Sequence, residues 1–132
     1  MYRTITEESI SHMVEAFYAK IREDQLLSPI FAAAIGNDWT AHLSKMKAFW
    51  SSVLLASRGY KGNPMMAHLR LPQLTERHFE HWLKLWRETA ADSCAEHPAA
   101  VFVQRAEMIG ERLLQTISMY GETAGLGPAN AR

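Results

Sequence analysis

Asn63-Pro64-Met65-Met66-Ala67-His68-Leu69-Arg70-Leu71-Pro72 is an apolar-rich island between two prolines, with one imidazole in its middle. Pro64 suits the first position of a helix, because its fixed φ is already helical and its missing N–H would be unpaired there anyway. Pro72 forces Leu71 out of the helical region and closes the segment. What lies between is about two helical turns, too short to persist on propensity alone. Something else must hold it. His68 sits among Met66, Leu69 and Leu71, where water is scarce, and two readings of it stand side by side. It is a core histidine whose ring nitrogens find a carbonyl, the commoner fate of such a residue, or it is the ligand of a metal or cofactor that fixes the short helix. The surrounding sequence has to separate the two.

Working upstream, Arg58-Gly59-Tyr60-Lys61-Gly62-Asn63 reads as a loop with two glycines. Before it, a long helix is predicted from Asp38 or Trp39 to Ser57, with His42, Leu43, Met46, Phe49, Trp50, Val53 and Leu54 on one face. His42 lies one turn before Met46 and two before Phe49 and Trp50, so it shares their face; there too, a structural histidine is the usual case. Leu26-Leu27-Ser28-Pro29-Ile30-Phe31 predicts a tight turn into a short helix through Ala34, broken by Gly36-Asn37-Asp38. The first helix is predicted to begin near Thr6, with Glu7 and Glu8 close to its positive end. Ile10, Met13, Val14, Phe17, Tyr18 and Ile21 draw its apolar stripe. A tyrosine at position 18 is either a core residue whose hydroxyl reaches a carbonyl or a hydrogen-bond donor into a buried pocket.

Downstream, Thr75 is a good N-cap and Glu76 falls in the first turn of a helix running to Ala91 or Ser93. Phe79, Trp82, Leu83 and Trp86 share one side of it. His78 and His81 are three apart, a spacing that can chelate a metal, but no third ligand is evident and the pair reads as solvent-facing. Cys94, near the end of this helix, has no neighbour that would lower its pKa and reads as structural. His97-Pro98 opens a last helix with the stripe Phe102, Ala106, Ile109, Leu113, Ile117 and Tyr120, for which Gly121 is a natural stop. The predicted domain spans residues 1–121, and residues 122–132, small and glycine-rich, read as a flexible tail. No segment alternates with a period of two. The fold class is all-α.

The 132 residues suit one compact domain. Nearly half are apolar, enough to line a cofactor-sized cavity. Basic and acidic residues balance at 14 each, which argues against a nucleic-acid or polyanion partner. With Cys94 as the one cysteine, an internal disulfide, a Cys₄ zinc site and an iron–sulfur cluster are excluded. No basic region followed by an apolar run opens the chain, and no stretch approaches the ~20 apolar residues of a bilayer span. A soluble, cytoplasmic protein with no membrane partner is the expectation.

Tyr18, His42 and Trp82 thus fall on the inward faces of three helices, with His68 on a short fourth segment and Phe31, Met46, Phe49, Trp50, Phe79 and Trp86 around them. A helical core this rich in rings suits a flat hydrophobic cofactor. Haem would use these parts: an imidazole as axial nitrogen, and the Tyr18 O–H and Trp82 indole N–H as donors to a partly negative diatomic ligand on the open side. Without a Cys-x-x-Cys-His motif, any haem would be held non-covalently.

At this point the chain resembles the truncated haemoglobins, and within them the class III (group III) globins. The resemblance is carried by Phe17-Tyr18, Leu27-Ser28-Pro29-Ile30-Phe31, Trp39-Thr40-Ala41-His42, Phe49-Trp50, Tyr60-Lys61-Gly62-Asn63-Pro64, His68-Leu69-Arg70-Leu71-Pro72 and His81-Trp82-Leu83-Lys84-Leu85-Trp86. These occur in the family's order across nearly the whole chain before the tail. The Gly-Gly pairs of other truncated globin groups are absent, in keeping with class III. The resemblance implies a shortened globin fold, a two-over-two helical sandwich around haem b. It implies His68 as the proximal iron ligand, Tyr18 and Trp82 as distal donors, and His42 as a distal histidine that gates rather than donates. Phe31 would pack on the porphyrin and Met46 would line the ligand site; Phe49 and Phe79, from the inward ring-rich faces, are added as further cofactor-binding candidates. Tyr60, Lys61 and Arg70 flank the proximal segment and are the candidates for the haem propionates. The implied activity is reversible binding of oxygen, nitric oxide or carbon monoxide. A further implication is nitric oxide/oxygen or peroxide redox chemistry, with electrons from a separate reductase. The alternative from another class is a cofactor-free helical interaction module in which these residues are merely core.

Overall fold

A computed structural model describes residues 1–56 and 75–126, with side chains described up to residue 112 and at residue 115. Expectations that fall on residues 57–74, including the short helix between the two prolines, lie outside the described residues. The named elements are all helices: α1 (Glu7–Glu23), α2 (Ser28–Ile35), α3 (Trp39–Leu55), α4 (Glu76–Ser93) and α5 (Glu96–Leu126).

Thr6 starts α1 through a capping box. Its hydroxyl accepts from the Ser9 N–H at 3.1 Å, and the Ser9 hydroxyl accepts in return from the Thr6 N–H at 2.9 Å. Two of the orphan amides at the helix start are satisfied in this way. Glu7 and Glu8 lie in the first turn, Lys20 and Arg22 in the last, each on the side the helix dipole favours. All six residues of the predicted stripe are buried. α2 begins with proline in its first turn and ends at Gly36, whose φ of 68° is open to glycine and costly to other residues. Thr75 caps α4 as Thr6 caps α1, here with the His78 ring nitrogen accepting from the Thr75 N–H at 3.0 Å.

α1 packs against α2, α3 and α4, and α4 against α5. Two helix pairs result, α1 with α3 and α4 with α5, joined where α1 lies on α4. Trp86, 1% exposed, is the hub. Its ring stacks on Trp50 of α3 at 4.7 Å and meets Phe17 of α1 edge-on at 4.9 Å and Phe102 of α5 at 6.0 Å. Its indole N–H donates to the Phe102 carbonyl at 3.0 Å, so this large ring is buried without an orphaned polar atom. The chain start is strapped to the α4–α5 junction by Tyr2, whose N–H donates to the Ser93 carbonyl and whose carbonyl accepts from the Ala95 N–H.

Three details depart from the sequence reading. α5 opens at Glu96, with Pro98 buried in its first turn, and it runs through Gly121 to Leu126. A single glycine costs a helix about 1 kcal/mol against alanine but does not end it unless the chain turns left-handed there. α3 stops at Leu55, because Ala56 itself takes the left-handed cap at φ 58°. The solvent-facing reading of His78 and His81 gives way to two partnered rings, since His78 belongs to the cap and His81 to an ion pair with Asp24.

Candidate functional site

Phe17 and Tyr18 are neighbours on α1, and the helix turn between them sends their rings to different partners. Tyr18 looks towards α2 and α3. It meets His42 edge-on at 4.9 Å, Phe31 at 6.0 Å and Trp39 at 6.2 Å. Phe17 looks towards α4, meeting Trp82 edge-on at 5.6 Å as well as Trp86. Since Phe17 also touches Tyr18 at 5.0 Å, one phenyl ring separates the two predicted donors. The structure therefore brings Phe31 and His42 each against Tyr18 and links Trp82 to Tyr18 through Phe17.

Burial pushes the Tyr18 phenol well above its usual range, so it keeps its proton and remains a donor. Edge-to-face contacts on a ring this buried fix its plane. Phe31 and Phe79 are buried; Met46, Phe49 and Trp82 are partly buried at the edge of the core. His68, Tyr60, Lys61 and Arg70 lie outside the described residues, so the predicted axial and propionate contacts carry no geometry here.

α3 differs from its partner α1 in one respect that bears on a cofactor. Its fully buried positions are Trp50 and Ser51, while Leu43, Met46, Phe49, Val53 and Leu54 are only partly covered. A face that is apolar along its length, edged by an imidazole and a protonated phenol, has the chemistry that a flat hydrophobic group with a polar ligand needs. The residues present fit haem. The described residues contain no cluster of three metal-ligating side chains that would suggest a protein-held metal instead.

Two features escaped the sequence reading. Trp39 joins the ring cluster at 6.1 Å from His42, and the Arg22 guanidinium lies 4.8 Å over its face. The i, i+3 spacing of Trp39 and His42 was a usable signal. The other is Asp24, whose carboxylate accepts from His81 Nε2–H at 2.5 Å across 57 positions of sequence, for which no local pattern exists. This pair lies in an open, polar groove of about 820 Å³ between the end of α1 and the start of α4, apart from the ring cluster. Cys94 is buried at the end of α4, and burial raises its thiol pKa despite the nearby chain-terminal ammonium, as suits a structural cysteine.

Known proteins share both the sequence and the fold. The family model described as bacterial-like globin matches residues 1–109. The chain is 39% identical over 123 residues to the group 3 truncated hemoglobin ctb of Campylobacter jejuni, covering 91% of this chain and 97% of that protein. It is 31% identical over 91 residues to the group 2 truncated hemoglobin YjbI of Bacillus subtilis, covering 66% of each. The crystal structure of the group III truncated hemoglobin from Campylobacter jejuni superposes with a TM-score of 0.84 at 39% identity, covering 88% of this chain and 94% of that one. With two helix pairs, a ring-lined inner face and these matches together, the chain belongs to the bacterial-like globin family, among the group III truncated haemoglobins.

Proposed function

We propose that this globin binds haem b non-covalently and uses it to hold oxygen or another small diatomic ligand. The observation that carries the reading is the contact of Tyr18 with His42 at 4.9 Å, a buried phenol that keeps its proton set against an imidazole beside a partly covered apolar face. His68 would supply an imidazole nitrogen to the haem iron, as the order of motifs shared with the family suggests. Phe31, Met46, Phe49 and Phe79 wall the cofactor, and Tyr60, Lys61 and Arg70 meet its propionates. When bound, haem supplies the iron site at which a diatomic ligand is taken up. Tyr18 and Trp82 donate hydrogen bonds to that ligand and slow its escape, and His42 controls entry. The ring cluster and the apolar α3 face keep bulk water out.

Two donors around an exchangeable site also suit redox chemistry on the ligand, either nitric oxide dioxygenation or peroxide reduction, with a separate reductase supplying electrons. Sustained turnover with an added reductant is the expected sign of that activity, and a single stoichiometric reaction argues against it. The proposed place of action is the cytoplasm; no described helix is long and apolar enough to cross a membrane.

The test is an absorption spectrum. Purified protein is expected to show a strong Soret band that shifts with carbon monoxide, and His68→Ala is expected to lose most of its haem. A colourless, cooperatively folding protein that ignores added haemin would overturn the proposal in favour of a cofactor-free helical module. An unchanged spectrum in His68→Ala would remove the axial assignment.

A further inference from the structure

Asp24 joins three of the helices that carry the pocket. It is the C-cap of α1, and its own N–H donates to the Ile21 carbonyl at 3.1 Å. Its carboxylate Oδ2 accepts from the Leu26 N–H at 3.0 Å and the Leu27 N–H at 2.9 Å, and its carbonyl accepts from the Ser28 N–H at 2.9 Å. These bonds shape the corner from which α2 departs. α2 has no side-chain cap of its own, so Asp24 also serves its start. The remaining oxygen, Oδ1, takes the His81 Nε2–H of α4 at 2.5 Å. The Asp24 and His81 side chains are 14% and 28% exposed, part-buried in the wall of the polar groove and better shielded than a surface ion pair.

His81 immediately precedes Trp82, and α2 carries Phe31, which touches Tyr18. A single carboxylate thus ties the corner behind Phe31 to the backbone next to the Trp82 indole. Lys20–Asp92, the other ion pair between α1 and α4 among the described residues, lies near the far end of α4 and is largely exposed on its aspartate side, where such pairs hold little.

We infer that Asp24 and His81 are positioning residues for the ligand pocket, fixing the Trp82 indole relative to Tyr18 so that both donors reach one ligand. This rests on the reading of Tyr18 and Trp82 as paired donors. The pair lies in the polar groove apart from the ring cluster and acts by holding α4 at a set place against the α1–α2 corner. A misplacement of a donor by a fraction of an ångström weakens its hydrogen bond, since that interaction falls steeply with distance and angle.

The experiment compares wild type, His81→Leu and His81→Gln as the haem-loaded ferrous carbon monoxide form. His81→Leu removes the donor; the Gln amide reaches about as far as Nε2 and restores it. The readouts are the Trp82 indole N–H resonance, assigned with Trp82→Phe, amide exchange at Leu26 and Leu27, and the oxygen dissociation rate. His81→Leu is expected to shift the indole resonance, to speed exchange at both amides about tenfold, and to raise the dissociation rate roughly threefold to tenfold. His81→Gln is expected to restore all three. An unmoved Trp82 resonance in His81→Leu overturns the inference, even if the Leu26 and Leu27 amides loosen, because the pair would then be local to the corner. Should His81→Leu not fold, His81→Asn, whose amide falls short of the carboxylate, carries the same readouts. A missing Soret band in wild type is a different failure and removes the haem reading along with this one, whereas an intact band with a static indole removes only the positioning role.

Discussion

Tyr18 shows how much a single position can carry. Its place on the α1 stripe is set by spacing, and the structure buries it there as that spacing requires. The direction of its ring is another matter, because neighbouring stripe residues point about 100° apart and face different helices. Only the fold determines that Phe17 turns to Trp82 and Tyr18 to His42. Replacing Tyr18 with phenylalanine keeps the ring and its edge contacts and removes the one donor. Oxygen dissociation is therefore expected to accelerate about tenfold to a hundredfold, the size of a hydrogen bond to a charged or strongly polarised partner, with thermal stability nearly unchanged. Stopped-flow displacement of oxygen by carbon monoxide measures it, and an unaltered rate in the Tyr18→Phe, Trp82→Phe double variant would exclude the donor pair. The same residue-scale limit applies to Asp24 and His81. Each looks unremarkable locally, and their contact exists only because α1 and α4 pack together.

Element boundaries were legible wherever a cap has a chemical signature. Thr6 and Thr75 announce α1 and α4, although the residues that complete their boxes are Ser9 and His78 rather than the usual glutamate or glutamine. Helix ends were harder to read, because what stops a helix is backbone dihedral, and glycine merely permits the stopping conformation. Gly36 takes it and Gly121 does not, while Ala56 takes it without being glycine. This gives a paired prediction with opposite signs. At Gly36 (φ 68°, ψ −128°), alanine would meet no neighbouring atom, so its cost is the backbone conformation itself. Gly36→Ala is expected to destabilise by about 1–3 kcal/mol. Ala56→Gly relieves a left-handed alanine at the cost of some unfolded-state entropy, and is expected to be neutral or stabilising by up to about 1 kcal/mol. Urea denaturation of both variants checks the pair, and a Gly36→Ala protein as stable as wild type would mean the turn relaxes at no cost.

On the scale of the whole molecule, the described helices are held together by an apolar core centred on Trp86 and by a small number of polar ties between helices. Three of those ties are surface ion pairs: Lys20–Asp92, Lys47–Glu15 and Arg87–Glu107 all leave at least one partner well exposed and so contribute little. Asp24–His81 is part-buried, as are the Ser51 hydroxyl bond to Glu7 at 2.7 Å and the contact of His12 Nε2 with the Ser93 hydroxyl at 3.1 Å. Burial alone would raise the Asp24 carboxyl pKa, but the hydrogen bonds from His81 and from the Leu27 and Leu26 amides outweigh it and hold the group below its ordinary value of 3.8. The linkage has a definite sign. A carboxyl whose folded pKa is depressed binds fewer protons folded than unfolded, so its contribution is complete above about pH 4 and is lost as pH falls through the lower, folded value. Asp24→Asn keeps a carbonyl for the two backbone amides but has no charge to lose. The variant is therefore expected to be less stable than wild type at pH 6, with the gap closing as pH drops below about 4, because only wild type loses this interaction on acidification. Urea unfolding at pH 6 and again at pH 3.5 and 3 reads the gap directly. A gap that stays constant down to pH 3 would mean that the ionised carboxylate contributes nothing beyond its shape, and that the corner of α1 and α2 is fixed against α4 by packing alone.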